Sequence, residues 1–383
     1  MKLIFNILCI FTIVQFTLLG MFLIYYPKGS RTSNRILASF LFANALYLLY
    51  IPFFNNFSGF FFEYRIYFFR IMEPLQFLFG PLLYFYTVSL TTQDFKFKKK
   101  HLWHSLPFIL IYMLFLIFFH FQSYEVKVEI LNTKSLFVMK LLYFNFYFFS
   151  TQFIIYLIAC LIIIRNHQKN IRNYFSSLEN VKLSWLKLII IAYIVIWSID
   201  LLSSFINVGT FSMQYYLGMA IFSILVNFIL ANLMIFRGLQ YPNLFTQIQT
   251  NTHNKKYQKS PLTPELKTRY LNRLLEYIEK EKPYLDFNLT LRELSIKSKI
   301  PVHYISQVIN EVLDKNFYTF INEYRIKEAV KMFTHPNYKE KSILDILYEV
   351  GFNSRSTFYS LFQIITGETP SAFRKKVNSF DSK

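Results

Sequence analysis

The chain has 383 residues, 54% hydrophobic and 20% aromatic, with a formal net charge of +19. That length allows two or three domains, and the apolar content is high for a soluble protein. Cys9 and Cys160 lie in separate apolar runs and the seven histidines form no HExxH or Cys/His cluster, which excludes a disulfide framework and a zinc site. The charge is uneven: residues 1–236 carry 18 Lys and Arg against 7 Asp and Glu, residues 237–260 carry 4 against none, and residues 261–383 carry 19 against 15. The apolar excess sits in the first part and the acids in the last, so the chain has two parts.

Apolar runs recur over residues 3–26, 36–54, 66–90, 102–121, 136–164, 183–206 and 213–236. A membrane-spanning helix needs about 20 such residues, so the first part reads as seven spans, the second being the shortest. The first run is not expected to be a secretory signal: only Lys2 precedes it, no small-residue cleavage site follows, and its positive charges come after it. Loops one, three and five hold Lys28, Arg31, Arg35, Lys96, Lys98, Lys99, Lys100, Arg165, Lys169, Arg172 and Lys182, against Arg65, Lys127 and Lys134 in loops two, four and six. Positive loops stay in the cytoplasm. The expectation is a multi-pass protein of the inner (cytoplasmic) membrane, its N-terminus outside and everything after Phe236 inside.

Ionisable groups within the spans are functional candidates because lipid penalises charge. Arg70 and Glu73 lie one helical step apart in the third run and Asp200 lies in the sixth; they either line an outward-facing pocket for a small-molecule or membrane signal or pair structurally. Pro74 and Gly80-Pro81 are expected to kink the third run. His101 and His104 read as polar residues at a membrane interface rather than a metal pair. Residues 237–262, polar, basic and aperiodic, read as a flexible linker.

Residues 263–383 change character. Thr263-Pro264-Glu265 starts a helix with a cap, a proline and an acid in the first turn. Two copies of one pattern follow, at about 290–313 and 342–365. In the first, Thr290 and Glu293 form a capping box; in the second, Ser342 and Asp345 do so, Gly351 supplies the turn and Ser354 caps the next helix. Helix, tight turn, helix places a second helix where it can enter a major groove. Between the copies, "NFYTFINEYRIKEAVKMF" makes a helix about 27 Å long, suited to hold two reading helices about one DNA turn apart. On the first reading helix Ile305, Val308 and Ile309 point inward, leaving His303, Ser306, Gln307 and Asn310 for DNA. On the second, Phe358, Leu361 and Phe362 point inward, leaving Arg355, Ser356, Tyr359 and Ser360. Arginine suits guanine and glutamine suits adenine, while Ser and Tyr mostly reach phosphates.

Residues from about 270 to 376 resemble the DNA-binding domain of AraC/XylS-type bacterial transcription regulators. The most specific match is "SILDILYEVGFNSRSTFYSLFQIITGETPSAFRKK", with its Gly-Phe turn, spaced aromatics and Gly-x-x-Pro-x-x-Phe-Arg ending. Lys299 stands where that family usually has a turn glycine, and Leu347 where it usually has alanine. The layout resembles the membrane-bound members of the family. The resulting expectation is an all-α protein: a seven-helix transmembrane bundle over residues 1–236, the linker, then an AraC-type domain with two helix-turn-helix units. The resemblance implies a membrane-anchored transcription regulator that binds double-stranded promoter DNA, with the lipid bilayer, RNA polymerase and a second copy of the chain as further partners. The alternative is a seven-span receptor whose C-terminal helices dock a protein. No phosphate loop, metal set or nucleophile constellation is present, so neither a cofactor nor enzyme activity is expected.

The loop charges make the topology testable. A reporter fused after Phe236 is expected to be active only in its cytoplasmic form and one fused after Asn132 only in its external form; the reverse pattern would put the C-terminal part out of reach of DNA.

Overall fold

The computed structural model describes residues 2–27, 30–56, 64–68, 70–92, 95–132, 136–179, 181–206, 218, 221–230, 232–233 and 262–380. Among these every regular element is helical, apart from one antiparallel bridge between Phe175 and Thr290. The expected linker lies outside the described residues up to position 261. Two compact units form: Met1–Arg165 with Leu183–Gln249, and Asn166–Lys182 with Thr250–Lys383. The segment Asn166–Lys182 thus belongs with the C-terminal unit, although sequence reading made it a loop of the first.

The first unit contains α1 (Lys2–Tyr25), α2 (Arg31–Asn56), α3 (Phe79–Thr91), α4 (Leu106–Phe115), α5 (Tyr124–Asn132), most of α6 (Leu136–Ile171), α7 (Ser184–Ile206) and α8 (Ile221–Leu230). Among the described residues three stretches are long and apolar enough to cross a membrane: Leu3–Tyr25, Lys99–His120 and Lys140–Ile171. The second of these is α4 extended by a 3-10 turn before it and a π turn after it. The core mixes aliphatic and aromatic side chains, with Phe77, Phe149 and Phe153 fully buried and Trp197 edge-on to Phe149 at 4.7 Å. The same helices turn large apolar side chains outward: Leu18, Ile117, Ile155, Ile162 and Leu202 are all more than half exposed.

The run at 66–90 departs from the single kinked span expected. It is a 3-10 turn (Tyr64–Phe68), a second 3-10 stretch (Glu73–Leu78) and then α3. Arg70 adopts a left-handed conformation at φ 53° between the first two, and Pro74 lacks the N–H that an α-helix would use there. At 13 residues, α3 is about 20 Å long, short of the hydrocarbon thickness of about 30 Å.

The second unit is built from α9 (Pro264–Glu281), α10 (Leu291–Ser298), α11 (Val302–Gln307), α12 (Phe317–Thr334), α13 (Ile343–Glu349), α14 (Arg355–Thr366) and α15 (Pro370–Phe380). Its helices begin where the local chemistry satisfies orphan N–H groups. Thr263 accepts from Leu266 N–H, Thr290 and Glu293 close a capping box, as do Ser342 and Asp345, and Ser354 accepts from Thr357 N–H.

Two cores result, one per helix-turn-helix. Leu274, Ile278, Leu291, Leu294, Ile305 and Ile309 meet the first half of α12 at Phe317, Phe320 and Ile321. Ile346, Leu347, Val350, Phe352, Phe358 and Phe362 meet its second half at Ile326, Ala329 and Phe333. Leu347, fully buried, fills volume that an alanine would leave open. One helix therefore serves both cores.

The two tight turns differ. Lys299 ends α10 in a left-handed conformation, φ 55° and ψ 34°, and is exposed. Gly351 turns at φ 88°, and a Cβ there would lie 2.7 Å from the carbonyl oxygens of Tyr284 and Leu285. Lys299→Gly is expected to stabilise the unit by up to about 1 kcal/mol, the relieved left-handed strain less the entropy of glycine. Gly351→Ala adds a backbone clash to that strain and is expected to cost about 2–3 kcal/mol. Hydrogen exchange of the most protected amides of this unit in the intact chain measures both; a loss of protection in Lys299→Gly would contradict the assigned strain.

Candidate nucleic-acid interface

The second reading helix, α14, follows a turn in which Gly351 and Phe352 are buried. Ser354 fixes its start, and Phe358 and Phe362 anchor its inner face. Arg355, Ser356 and Ser360 are exposed, and Tyr359 is half-buried. The Arg355 guanidinium lies 5.1 Å from the centroid of the Tyr359 ring, so the aromatic one turn on supports the cation from below. Ser356 and Ser354 hydroxyls are 3.1 Å apart. The face is thus one arginine framed by hydroxyls, groups that reach base edges and phosphate oxygens.

The first reading helix is α11, continued by a π turn over Val308–Val312. Ile305, Val308 and Ile309 are buried, and His303 is exposed with its ring 4.0 Å from that of Tyr304. Ser306 and Asn310 are half-buried, and Asn310 donates to the Ser306 hydroxyl at 3.2 Å.

Gln307 does not point outward as expected. It is 5% exposed and donates to the Glu311 carboxylate at 3.0 Å, which Lys267 of α9 also reaches at 2.8 Å. These two partners, Lys267 first, hold the Glu311 carboxyl below its ordinary value. The reason is tertiary: α9 packs along α11 and the π turn, covering a flank that helix spacing alone leaves open.

The intramembrane candidates stand apart from this face in sequence and unit. Arg70 donates to both Glu73 oxygens at 2.6 and 2.7 Å, and Asn145 donates to one of them at 3.2 Å. Asp200 falls on α7, with its side chain outside the described residues. Among the described residues no cluster of three metal-ligating groups occurs, and Cys9 and Cys160 are buried free thiols.

What sequence reading missed lies between the two helix-turn-helix units. Arg325, 1% exposed, donates to the Tyr284 carbonyl at 2.7 Å, the Asp286 carbonyl at 2.7 Å, Asn322 Oδ1 at 3.2 Å, and the Ser176 carbonyl and hydroxyl at 3.2 and 3.0 Å. Burial lowers its pKa to about 10, opposed by Asp286 and Tyr318, so it remains charged near neutrality. Next to it Glu328 binds Lys282 at 2.6 Å and the Tyr284 hydroxyl at 3.3 Å. Burial alone would raise that carboxyl, but Lys282 and its other partners hold it below the ordinary value. A signal existed: Ile321, Arg325, Ala329 and Phe333 recur every four residues, which puts Arg325 in an apolar stripe.

Residues 295–376 match the family described as a helix-turn-helix domain. The uncharacterized HTH-type transcriptional regulator YdeC of Bacillus subtilis (strain 168) is 25% identical over 141 residues, 37% of this chain and 45% of the relative. The melibiose operon regulatory protein of Escherichia coli (strain K12) is 28% identical over 106 residues, 28% of this chain and 33% of the relative. The chain thus spans less than half the length of these curated relatives. No solved structure matches it. The C-terminal part is an AraC-type helix-turn-helix domain.

Arg355→Ala is expected to weaken binding to the preferred site by about 1–3 kcal/mol and to relax preference at one base position. An equal loss on all sequences, with a salt slope lower by about one, would mark a phosphate contact instead. Gln307→Ala, by contrast, is expected to cost stability and leave base preference unchanged, as measured by parallel unfolding and binding-site selection.

Proposed function

We propose that this AraC-type domain binds promoter DNA sequence-specifically and that the chain is a membrane-anchored transcription regulator of a bacterium. The observation that carries the reading is the pair of capped helix-turn-helix units, each with its own core and both built on α12, with Arg355, Ser356, Ser360 and His303 left exposed. A single chain then presents two reading helices to successive major-groove segments, the arrangement that other helix-turn-helix proteins reach by dimerising. The residues proposed to meet DNA are His303, Ser306 and Asn310 on α11 and Arg355, Ser356, Tyr359 and Ser360 on α14. Gln307 leaves this set because it is buried.

The membrane half of the proposal rests on three helices of spanning length and on the apolar side chains they turn outward. Water penalises such a surface and lipid does not. Seven spans, a cytoplasmic C-terminus and a place in the inner membrane complete the reading, on the strength of the loop charges. The polar cluster of Arg70, Glu73 and Asn145 is the proposed place at which a membrane or external signal is sensed. RNA polymerase and a second copy of the chain are the proposed protein partners.

The intact chain in lipid nanodiscs, titrated with fragments selected from genomic DNA, is expected to bind its best site about 10³-fold or more tighter than random sequence. Its affinity is expected to fall steeply with salt, as phosphate contacts release counterions. Equal affinity for all sequences would leave the domain a non-specific binder, and retention of a protein partner with no DNA would favour the receptor alternative.

A further inference from the structure

The stretch between α6 and α7, "RNYFSSLENVK" at 172–182, is short and polar and carries no helical pattern. Yet Ser176 and Leu178 are buried within the second unit. Its backbone meets groups that need partners. The first N–H groups of a helix have none within the helix; here Leu291 N–H, at the start of α10, donates to the Tyr174 carbonyl at 2.9 Å, and Tyr318 N–H, at the start of α12, donates to the Arg172 carbonyl at 2.9 Å. Ser176 donates to the Leu289 carbonyl through its N–H at 3.2 Å and its hydroxyl at 2.7 Å. The Ser176 carbonyl accepts from Asn322 at 3.0 Å and from Arg325. Beyond it the Ser177 hydroxyl donates to Asn353 at 3.4 Å, and Thr357, in the first turn of α14, donates to Glu179 at 3.3 Å.

The segment therefore grips the first helix-turn-helix, the connecting helix and the second helix-turn-helix together. It does so without covering the reading faces: His303, Arg355, Ser356 and Ser360 stay exposed while it is docked. Two reading helices bind one DNA site tightly only if their mutual arrangement is already set, because a loose pair must be ordered at the moment of binding. The segment is also covalently continuous with α6 and α7 at its two ends.

We propose that residues 172–179 of this stretch are a strap through which the state of the membrane part sets DNA affinity: docked, the strap holds the two reading helices in a DNA-competent arrangement, and undocking releases them. The proposal rests on the regulator reading above. It makes the strap, rather than the linker at 237–262, the carrier of the signal.

The test uses the intact chain in nanodiscs with its selected DNA site. Ser176→Leu places a larger, apolar side chain where the hydroxyl meets Arg325 and Leu289, and is expected to weaken binding roughly tenfold or more by lowering the competent fraction. Unchanged hydrogen exchange in α10 and α14 would show that both units remain folded. In a background of Cys9→Ala and Cys160→Ala, S177C with N353C is expected to form a disulfide on oxidation, locking the strap while keeping or improving affinity. Tighter binding by Ser176→Leu together with weaker binding by the oxidised pair would reverse the sign and overturn the proposal in favour of an inhibitory strap. Failure of the disulfide to form, or affinity indifferent to both changes, would also overturn it. Absence of sequence-specific binding in every form, the unaltered chain included, counts against the regulator reading itself.

Discussion

A guanidinium buried with no carboxylate bonded to it is the constraint around which the second unit is arranged. Charge in a protein interior is costly unless its donors are met. Arg325 meets that requirement with carbonyl and hydroxyl oxygens from three separate places: the turn after α9, its own helix, and residue 176. Arg325 is itself 1% exposed, so these oxygens rather than solvent meet its donors. On one side of Arg325 the helix faces the first core at Ile321, and on the other it faces the second at Ile326 and Ala329, with Phe352 lying 5.6 Å from the guanidinium. The arginine thus sits where the two helix-turn-helix units join and binds the backbone of the turn after α9 and of residue 176. The adjoining Glu328, with Lys282 and the Tyr284 hydroxyl, adds a second polar tie between the same turn and the same helix.

That arrangement explains why a polar segment far away in sequence can be an integral part of the fold. Ser176 offers a carbonyl, a hydroxyl and an N–H within one residue, and all three are used. The carbonyls of Arg172 and Tyr174 meet helix N-termini, which carry partial positive charge and lack internal acceptors. Such contacts require neither a large apolar face nor a long element, so a strap of about ten residues can hold two cores in a fixed relation with little buried area. They are also individually modest, about 0.5–1.5 kcal/mol each, which suits a contact that is made and broken.

The first unit follows a different logic. Its core mixes aliphatic and aromatic side chains and its outward face is apolar too, so in lipid, as proposed, the hydrophobic effect would not by itself orient these helices. Position is instead set by breaks and polar ties. The left-handed Arg70 and Pro74 divide the third apolar run, and the carboxylate of Glu73 gathers Arg70 and Asn145 from two elements. Arg70 and Glu73 are both half-buried, and the amide of Asn145 completes the cluster.

The sequence by itself determined those features whose causes lie within a few residues of one another. Thr290 with Glu293, Ser342 with Asp345, Ser354 and Thr263 start helices through contacts three residues apart, and they do so as read. The turn at Gly351 and the inward Ile305, Ile309, Phe358 and Phe362 were equally legible, since helix periodicity and turn geometry are local properties, while the left-handed Lys299 followed from the family resemblance, which puts a turn glycine there. Of the eight candidate DNA-facing residues, Arg355, Ser356, Ser360 and His303 are exposed and Ser306, Asn310 and Tyr359 half-buried. Only the tertiary structure decided the rest. Gln307 is covered because α9 crosses its flank, Arg325 is a joint because two distant backbone segments converge on it, and the third apolar run is broken where Arg70 turns left-handed and meets Glu73. Above all, Ser176 meets Arg325 across 149 positions. Hydrogen-bonding capacity is written in every polar residue, but which distant donor meets it is settled only when the cores close and bring the two together.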